Sequence, residues 1–258
     1  MAQDADPKTH ISRRTNEAIF VRDANLVEDL IGKLSFTEMM YFQNMGRRPT
    51  REQTVLLDAV LVTLMEHGLT PSAITARLIY MSAPEALQSA VAAGLLGVGS
   101  TFVGTMENCG LVLEEILAAP EGVKDRARHV AVRYRTAKSA LPGFGNHLHR
   151  PDDPRSPRLL ALAEEQGVPG NHIRALRALG KAVDEVYGRH ITINVTGAAA
   201  AVLAEIGIPR EIMRGVAVVS RAAGLVGHIH EEQSEPSGRR IWDVVEHTIA
   251  YESRKDGR

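Results

Sequence analysis

The chain has 258 residues, of which 44% are apolar, enough for the core of one large domain or of a main domain with a smaller lobe. The formal net charge of −1 excludes a general attraction to nucleic acid or to anionic membranes, so any recognition of anions must be local. The single cysteine, Cys109, excludes an internal disulfide and a cysteine-based metal site.

The N-terminal sequence is polar and lacks the apolar segment of a secretory signal. No stretch of about 18 apolar residues predicts a membrane-spanning helix. We therefore expect a cytoplasmic protein that binds neither membranes nor nucleic acid.

Helix starts are the clearest signals in the first half of the chain. A Ser or Thr followed three residues later by Glu or Gln is typical of a capping box, which satisfies backbone N–H groups at a helix N-terminus. Thr70-Pro71 adds an N-cap with proline in the first helical position. The three predicted capping boxes pair Ser35 with Glu38, Thr50 with Gln53, and Ser82 with Glu85.

Apolar periodicity predicts roughly a dozen helices and one short strand at Ile19–Val21. An apolar stripe over 26–34 indicates the first helix, and Asn171 is the predicted cap of the helix that Gly188 ends. The sequence does not alternate strands with helices, which makes the fold class all-α and disfavours a doubly wound nucleotide-binding sheet. The helices predicted after residue 100 are 104–118, 121–139, 155–166, 171–187, 195–206, 209–232 and 241–251.

The segment 141–158 combines glycine, proline, histidine and arginine. Glycine lets a ligand approach the backbone closely, and proline restricts the loop to few conformations. Such a stiff cationic loop suits an anionic ligand, although the same composition also occurs in solvated connections between helices.

Three other patterns allow alternative interpretations. The glycines at 94, 97 and 99 follow a helix rather than a strand, which favours a close helix contact over a dinucleotide site. His147 and His149 with the aspartates at 152 and 153 make a weak metal set, and we expect no metal. Arg77, Arg155 and Arg221 lie on or beside apolar helical stretches, where each guanidinium needs either an internal carboxylate or a substrate carboxylate.

Five blocks of sequence, in this order, resemble the citrate synthase superfamily and, more closely, citryl-CoA lyase and the C-terminal part of ATP citrate lyase. The order and spacing of the blocks carry the resemblance, which extends over about residues 25–252. The blocks are 66–77 (Glu-His-Gly-Leu-Thr-Pro and onward), 92–104, 142–155 (Pro-Gly-Phe-Gly to Asp-Pro-Arg), 193–197 (Ile-Asn-Val-Thr-Gly) and 220–228 (Ser-Arg-Ala-Ala-Gly-Leu-Val-Gly-His).

The resemblance implies an all-helical homodimer, or a higher homo-oligomer, with an active site between a large and a small lobe. It also implies the making or breaking of the carbon–carbon bond between an acetyl-CoA enolate and a keto acid. On this basis the chain divides into a flexible segment (1–24), large-lobe helices (25–139), the coenzyme A loop and small-lobe helices that run back into the large lobe (140–232), and a C-terminal hairpin, helix and tail (233–258).

The resemblance also implies residue roles. His67 corresponds to the histidine that binds the keto or hydroxyl oxygen of the substrate, and Arg155 and Arg221 correspond to arginines that bind its carboxylates. We add Arg77 to the substrate-binding set. The residues expected to contact coenzyme A are Gly143, Phe144, Gly145, His149 and Arg150.

Three positions depart from the family pattern. Phe102 replaces the histidine that polarises the thioester carbonyl in citrate synthases, a change that the lyases share, and we place it in the substrate-binding set. Asn146 replaces a second histidine, with His147 beside it, and Thr196 replaces the aspartate that removes the acetyl proton. A neutral threonine is not a general base at ordinary pH.

Three functions therefore stay open. The first is a citryl-CoA-lyase-like enzyme whose candidate catalytic residues are His67, Asn146, Thr196 and His147, with His147 or His149 as a displaced base. The second is a catalytically silent protein that binds an acyl-CoA or a di- or tricarboxylate. The third is a helical scaffold without a ligand, which the isolated cations disfavour.

Overall fold

The structure is a computed structural model that describes residues 6–99, 101 and 104–253. The N-terminal part forms a three-stranded antiparallel sheet in the order β1 (Ser12–Arg14), β2 (Ile19–Val21), β3 (Ala24–Asn25). The predicted strand is confirmed as β2. Its neighbours escaped prediction because β1 is polar and exposed and β3 has only two residues. The segment 12–25 therefore forms a small sheet, and the apolar stripe that follows forms only a five-residue π-helical turn, Leu26–Leu30.

The rest of the described chain is helical, which confirms the all-α prediction. In chain order the helices are α1 (Phe36–Met45), α2 (Arg51–Met65), α3 (Pro71–Ser82), α4 (Leu87–Leu96), α5 (Thr105–Leu117), α6 (Val123–Thr136), α7 (Arg155–Glu165), α8 (Asn171–Tyr187), α9 (Val195–Glu205), α10 (Met213–Ser234, after a 3₁₀ turn at Arg210–Ile212) and α11 (Gly238–Thr248).

Two of the three predicted capping boxes form, at Ser35 and Thr50, and Thr70 caps α3 as predicted. The box at Ser82 was wrong. Helix α3 continues to Ser82, whose hydroxyl donates back to the Leu78 carbonyl at 3.1 Å, and α4 begins after Ala86 without a side-chain cap.

The predicted cap at Asn171 was also wrong, because Asn171 is already the first residue of α8. The cap comes instead from Glu205 at the end of α9, whose carboxylate accepts hydrogen bonds from the backbone N–H groups of Gly170, His172 and Ile173. Burial raises the pKa of Glu205, but these hydrogen bonds and the nearby His172 lower it overall. A cap 32 to 35 residues away in sequence cannot be identified from local pattern.

Helix α9 lies at the centre of the main core and packs against α2, α5, α7 and α8. Its residues from Ala198 to Leu203 are fully buried. Four of them are alanines, which let the surrounding helices approach closely. This packing holds the N-terminus of α9 in place at the edge of the cavity described below.

A smaller core joins α3, α4 and α10. At Gly94 an added Cβ would lie 2.7 Å from Leu225 Cδ1 and 2.9 Å from the Ser72 carbonyl, so the predicted close helix contact is confirmed. The segment Arg210–Ser234 is long and apolar enough to cross a membrane by length and composition alone. Helices in the cores of globular proteins share these properties, and this one packs against α2, α3 and α4.

Candidate functional site

A cavity of about 700 Å³ opens where described residues of all five sequence blocks meet. Its walls come from the loop before α3, the segment between α4 and α5, the loop before α7, and the starts of α7 and α9, while α10 closes the remaining side. Nine of the predicted site residues line it: His67, Gly143, Phe144, Gly145, Asn146, His147, Arg155, Thr196 and Arg221.

The remaining predicted residues have different positions. Phe102 lies outside the described residues. Arg150 is exposed, so its contact with coenzyme A stays a prediction. His149 is not among the lining residues, and its ring contacts His67, so its predicted contact with coenzyme A finds no support in the lining.

The prediction for Arg77 requires correction. Its side chain is buried, donates to Glu232 at 2.8 Å and to Glu231, and also bonds His228 at 3.1 Å. Arg77 is therefore the centre of an internal ion-pair network between α3 and α10, outside the cavity lining. The partner carboxylates lie more than 150 residues away in sequence, so the local pattern did not separate this arginine from Arg221.

The glycine loop is held against the start of α9 by backbone pairing. Gly145 N–H donates to the Thr192 carbonyl at 2.8 Å, and Asn194 N–H donates to the Gly143 carbonyl at 3.0 Å. An added Cβ at Gly197 would lie 2.5 Å from the Gly143 oxygen, so only glycine permits this approach. The glycine loop and the start of α9 therefore form one continuous wall of the cavity.

Asp153, a residue that sequence analysis considered only as a weak metal ligand, organises the cationic side of the cavity. It is fully buried and receives a bidentate pair from Arg155, with both N–O distances 2.9 Å. Its second oxygen also accepts from Val195 N–H and from the Asn146 amide, each at 3.1 Å. Burial alone would raise the pKa of Asp153, but Arg155 and the backbone N–H groups lower it overall. Asp153 is thus a fixed anion that orients Arg155.

Both polar atoms of the Asn146 carboxamide form hydrogen bonds that stabilise the loop. Its oxygen accepts from the backbone N–H groups of Leu148 at 2.9 Å and His149 at 3.2 Å, and its nitrogen donates to Asp153. Such local bonds from an Asn side chain stabilise tight turns. Asn146 therefore borders the cavity but acts as a structural residue of the loop.

His67 meets His149 edge to face at the cavity wall. Their Nε2 atoms are 3.1 Å apart, and the ring planes are inclined by 71°. Burial lowers the pKa of His67, and the charges of Arg155 and Arg221 act in the same direction, whereas Asp153 opposes them. His67 is accordingly neutral at pH 7.

Arg221 has a donor that the protein leaves unsatisfied. The residue is 8% exposed, and its Nη1 is buried without a hydrogen-bond partner in the described structure. The carboxylate of Glu66 approaches Nη1 only to 3.9 Å. Burial lowers the pKa of Arg221, Glu66 opposes this and Arg155 adds to it, yet an arginine keeps its charge. An anion in the cavity can supply the missing acceptor.

Thr196 lines the cavity at the start of α9, and together with Thr105 it defines what we call the threonine side. Its hydroxyl is 2.7 Å from Asn194 Oδ1 and 2.8 Å from Thr105 Oγ1. Because an amide oxygen only accepts, Thr196 donates its single proton to Asn194, whose oxygen also caps α9. Among the described lining residues the one carboxylate is Asp153, so no free carboxylate base faces this side.

The geometry does not support a metal site formed by His147, His149 and the two aspartates at 152 and 153. Asp153 is paired with Arg155, and Asp152 turns away to His190 at 3.0 Å. Within the described ranges, no group of three or more His, Cys, Asp or Glu side chains is placed to hold a metal ion.

A family model described as the citrate synthase C-terminal domain matches residues 10–242. Putative citrate synthase 2 of Mycobacterium tuberculosis is 27% identical over 209 residues, covering 79% of this chain and 54% of that protein. Citrate synthase of Haloferax volcanii is 28% identical over 207 residues, covering 76% and 51%. The chain thus spans about half the length of these curated relatives.

Among solved structures, citryl-CoA lyase from Hydrogenobacter thermophilus superposes with a TM-score of 0.86 at 29% identity, covering 98% of this chain and 97% of that one. ATP citrate lyase from Methanosaeta concilii, in complex with (3S)-citryl-CoA, shares the fold with a TM-score of 0.78 at 15% identity, covering 99% and 43%.

Proposed function

The chain belongs to the citrate synthase family, and from this premise we propose that it is a citryl-CoA-lyase-like enzyme. It would cleave or form the carbon–carbon bond of a 3-hydroxy-3-carboxyacyl-CoA, with acetyl-CoA and a keto acid such as oxaloacetate on the other side of the reaction. The lyase side is favoured because this chain and the citryl-CoA lyase from Hydrogenobacter thermophilus cover each other almost completely.

The unsatisfied guanidinium of Arg221 is the observation that carries this proposal. It shares a 700 Å³ cavity with Arg155 and the neutral His67. A buried donor without an acceptor is unfavourable, and a bidentate carboxylate in the cavity removes that penalty. Two arginines beside a neutral histidine match a hydroxy acid or keto acid with more than one carboxylate.

The rest of the cavity suits a thioester arm. Apolar side chains, including Leu64, Leu69, Val98 and Leu141, lie beside the backbone of the glycine loop. The volume lies in the range of sites that enclose small ligands. We assign the glycine loop to coenzyme A, with no metal required.

In the cleavage direction, a neutral histidine accepts the proton of the substrate hydroxyl. The O–H electron pair then forms the keto group, and the broken carbon–carbon bond leaves its electron pair on the acetyl thioester as an enolate. The arginines hold the carboxylates and stabilise the developing charge. The enolate carbon finally takes up one proton, so that atoms and charge balance.

The second candidate function is a silent binding protein. It is favoured by the bonded states of Thr196 and Asn146, because neither side chain is free to transfer a proton. In that case the cavity binds a coenzyme A thioester or a tricarboxylate and turns nothing over.

Calorimetry with coenzyme A, acetyl-CoA and oxaloacetate, combined with a coupled assay of oxaloacetate release from citryl-CoA, tests both functions. Binding with turnover supports the enzyme, and binding alone supports the silent protein. No binding at millimolar ligand would reject both. We also propose a cytoplasmic homodimer, and light scattering on the purified protein tests the assembly.

A further inference from the structure

We propose that His149 is a second catalytic histidine, which contacts the same substrate oxygen as His67. The inference rests on the proposed function, because it assigns a role within the same cavity. The binding roles proposed above for the glycine loop and the arginines do not depend on a catalytic role for His149.

The geometry of the two rings carries the inference. The Nε2 atoms of His67 and His149 point at each other across 3.1 Å. A hydrogen bond between two imidazole nitrogens needs one N–H donor and one acceptor nitrogen, so a single proton lies between the two Nε2 atoms. A substrate hydroxyl likewise has one O–H donor and one acceptor oxygen, so it can bond both Nε2 atoms. It can replace the mutual bond by donating to one ring and accepting from the other.

The loop is built in a way that brings His149 to this place. Asn146 accepts from the backbone N–H groups of Leu148 and His149, and this turn directs residue 149 back towards His67. An imidazole at residue 146 offers only one acceptor nitrogen and cannot make both bonds. Asn146 is in turn held by Asp153, which also fixes Arg155. One buried carboxylate thus positions both an arginine of the cavity and the turn that presents His149.

The charges around the pair favour this chemistry. Arg155 and Arg221 lie close enough to act on His67, which keeps it neutral and able to accept a proton, whereas Asp153 has the opposite effect but is neutralised by Arg155. The same arginines stabilise an oxygen that becomes negative as its proton leaves.

The proposed step is balanced. The hydroxyl proton passes to the acceptor Nε2 of the pair, and the donor Nε2–H of the other ring holds the oxygen as it becomes the keto group. The electrons of the carbon–carbon bond pass to the acetyl thioester enolate. The proton on the imidazolium then leaves through water, and the enolate carbon takes up an equivalent proton.

His149→Gln and His149→Phe test the assignment. Glutamine keeps hydrogen-bonding groups near His67 but cannot accept a proton, and phenylalanine removes the contact. We expect kcat for citryl-CoA cleavage to fall about 100- to 1,000-fold in both variants, with coenzyme A affinity changed less than about threefold. His129→Gln, on the outer face of α6, is the matched control for loss of a histidine, and circular dichroism checks the fold of every variant.

A second measurement is independent of turnover. Bound oxaloacetate that carries carbon-13 in its keto group reports the hydrogen bonds to that oxygen, since donors shift the carbonyl resonance downfield. We expect His149→Phe to reverse part of this shift, and His67→Gln to reverse part as well.

The outcomes separate the two claims. If the wild type binds neither citryl-CoA nor oxaloacetate, the proposed function and this inference both fail. If the wild type binds or cleaves and the His149 variants keep its rate and its carbonyl shift, only the inference is overturned. A full effect in His147→Gln with none at His149 would likewise overturn it, because His147 would then be the histidine that contacts the oxygen.

Discussion

The two sides of the cavity differ in how far the protein satisfies its own polar groups. On one side, Arg221 has a buried donor without a partner, and the two histidines share one proton. On the other side, Thr196 donates to Asn194 and contacts a second threonine hydroxyl, and the Asn194 oxygen already caps α9.

This difference indicates what each side can do for a ligand. The cationic side is incomplete until an anion or a hydroxyl arrives, so it is organised for binding. The threonine side is complete and neutral, and it offers no base of suitable pKa. Recognition of the carboxylate end and removal of the acetyl proton are therefore separable in this protein, and the following changes test that separation in order of expected effect.

Arg221→Met tests the incomplete side and should have the largest effect. Loss of the guanidinium should lower the affinity for oxaloacetate about 100- to 1,000-fold, as for other buried charge pairs. The same change should raise the free energy of unfolding of the free protein by about 1–3 kcal/mol, because it removes a buried charge whose nearest carboxylate, that of Glu66, lies 3.9 Å away. Calorimetry and urea unfolding measure the two quantities.

Arg214→Met on the same helix is the matched control, because Arg214 also has a buried donor without a partner, its Nε, but pairs closely with Glu107 at 2.8 Å and lies outside the cavity lining. It should change oxaloacetate affinity less than about threefold and should not stabilise the protein. Loss of stability in Arg221→Met without loss of affinity would show that the Arg221 guanidinium is already satisfied internally.

Asp153→Asn tests the anion that organises the cationic side. Because Arg155 would lose its charged partner, we expect the free energy of unfolding to fall by about 3 kcal/mol at pH 7. The pKa of Asp153 is lowered by folding, so its stabilisation is present above the unfolded-state pKa of about 4 and is lost as the pH falls through the folded-state value. Urea unfolding between neutral and acidic pH should therefore bring the wild type and the variant together.

Thr196→Asp adds a carboxylate to the threonine side of the cavity, which lacks an acid–base group. A carboxylate at this position should raise the rate of citryl-CoA cleavage by about 100-fold if only a general acid–base group is missing. The contact with Asn194 Oδ1 favours the protonated acid, because two oxygen acceptors repel each other. An active wild type whose turnover is abolished by the substitution would instead show that the threonine side has acquired a different role.

His190→Gln should have the smallest effect, because His190 is exposed in the segment that joins α8 to α9. His190 contacts Asp184 at 2.7 Å and Asp152 at 3.0 Å, and both carboxylates raise its pKa. Its stabilisation is fully present below the unfolded-state pKa of about 6.5 and is lost as the pH rises through the higher folded-state value. We expect less than about 1 kcal/mol for this exposed group, detectable at pH 6 and absent at alkaline pH. An undiminished difference at alkaline pH would mean that packing, not charge, connects His190 to the loop.

Much of the fold could be predicted from local signals. The capping boxes at Ser35 and Thr50, the proline start of α3 and the end of α8 at Gly188 all form as expected. One error arises where a distant group replaces a local one, since Glu205 caps α8 in place of Asn171. The start of α11 was predicted too late, because Glu232 accepts from the backbone of Ser237 and Gly238 and so begins the helix earlier.

The candidate site was predicted less evenly. The blocks that meet at the cavity were identified in sequence, and nine of the predicted site residues line it. The role of Asp153 was missed, although its position two residues before Arg155 was a usable signal. The pairing of His149 with His67 spans 82 residues and has no local signature.

The helical architecture, the order of the blocks and the types of residue available to the cavity follow from the amino-acid sequence, because caps and periodicity act over a few residues. Arg77 and Arg221 look alike in sequence, since each lies in an apolar helical stretch. Their difference emerges on folding, when Arg77 is neutralised by Glu231 and Glu232 while Arg221 keeps a free donor. The physical reason is that the state of a buried charge depends on the groups packed against it, and those groups arrive from distant parts of the chain.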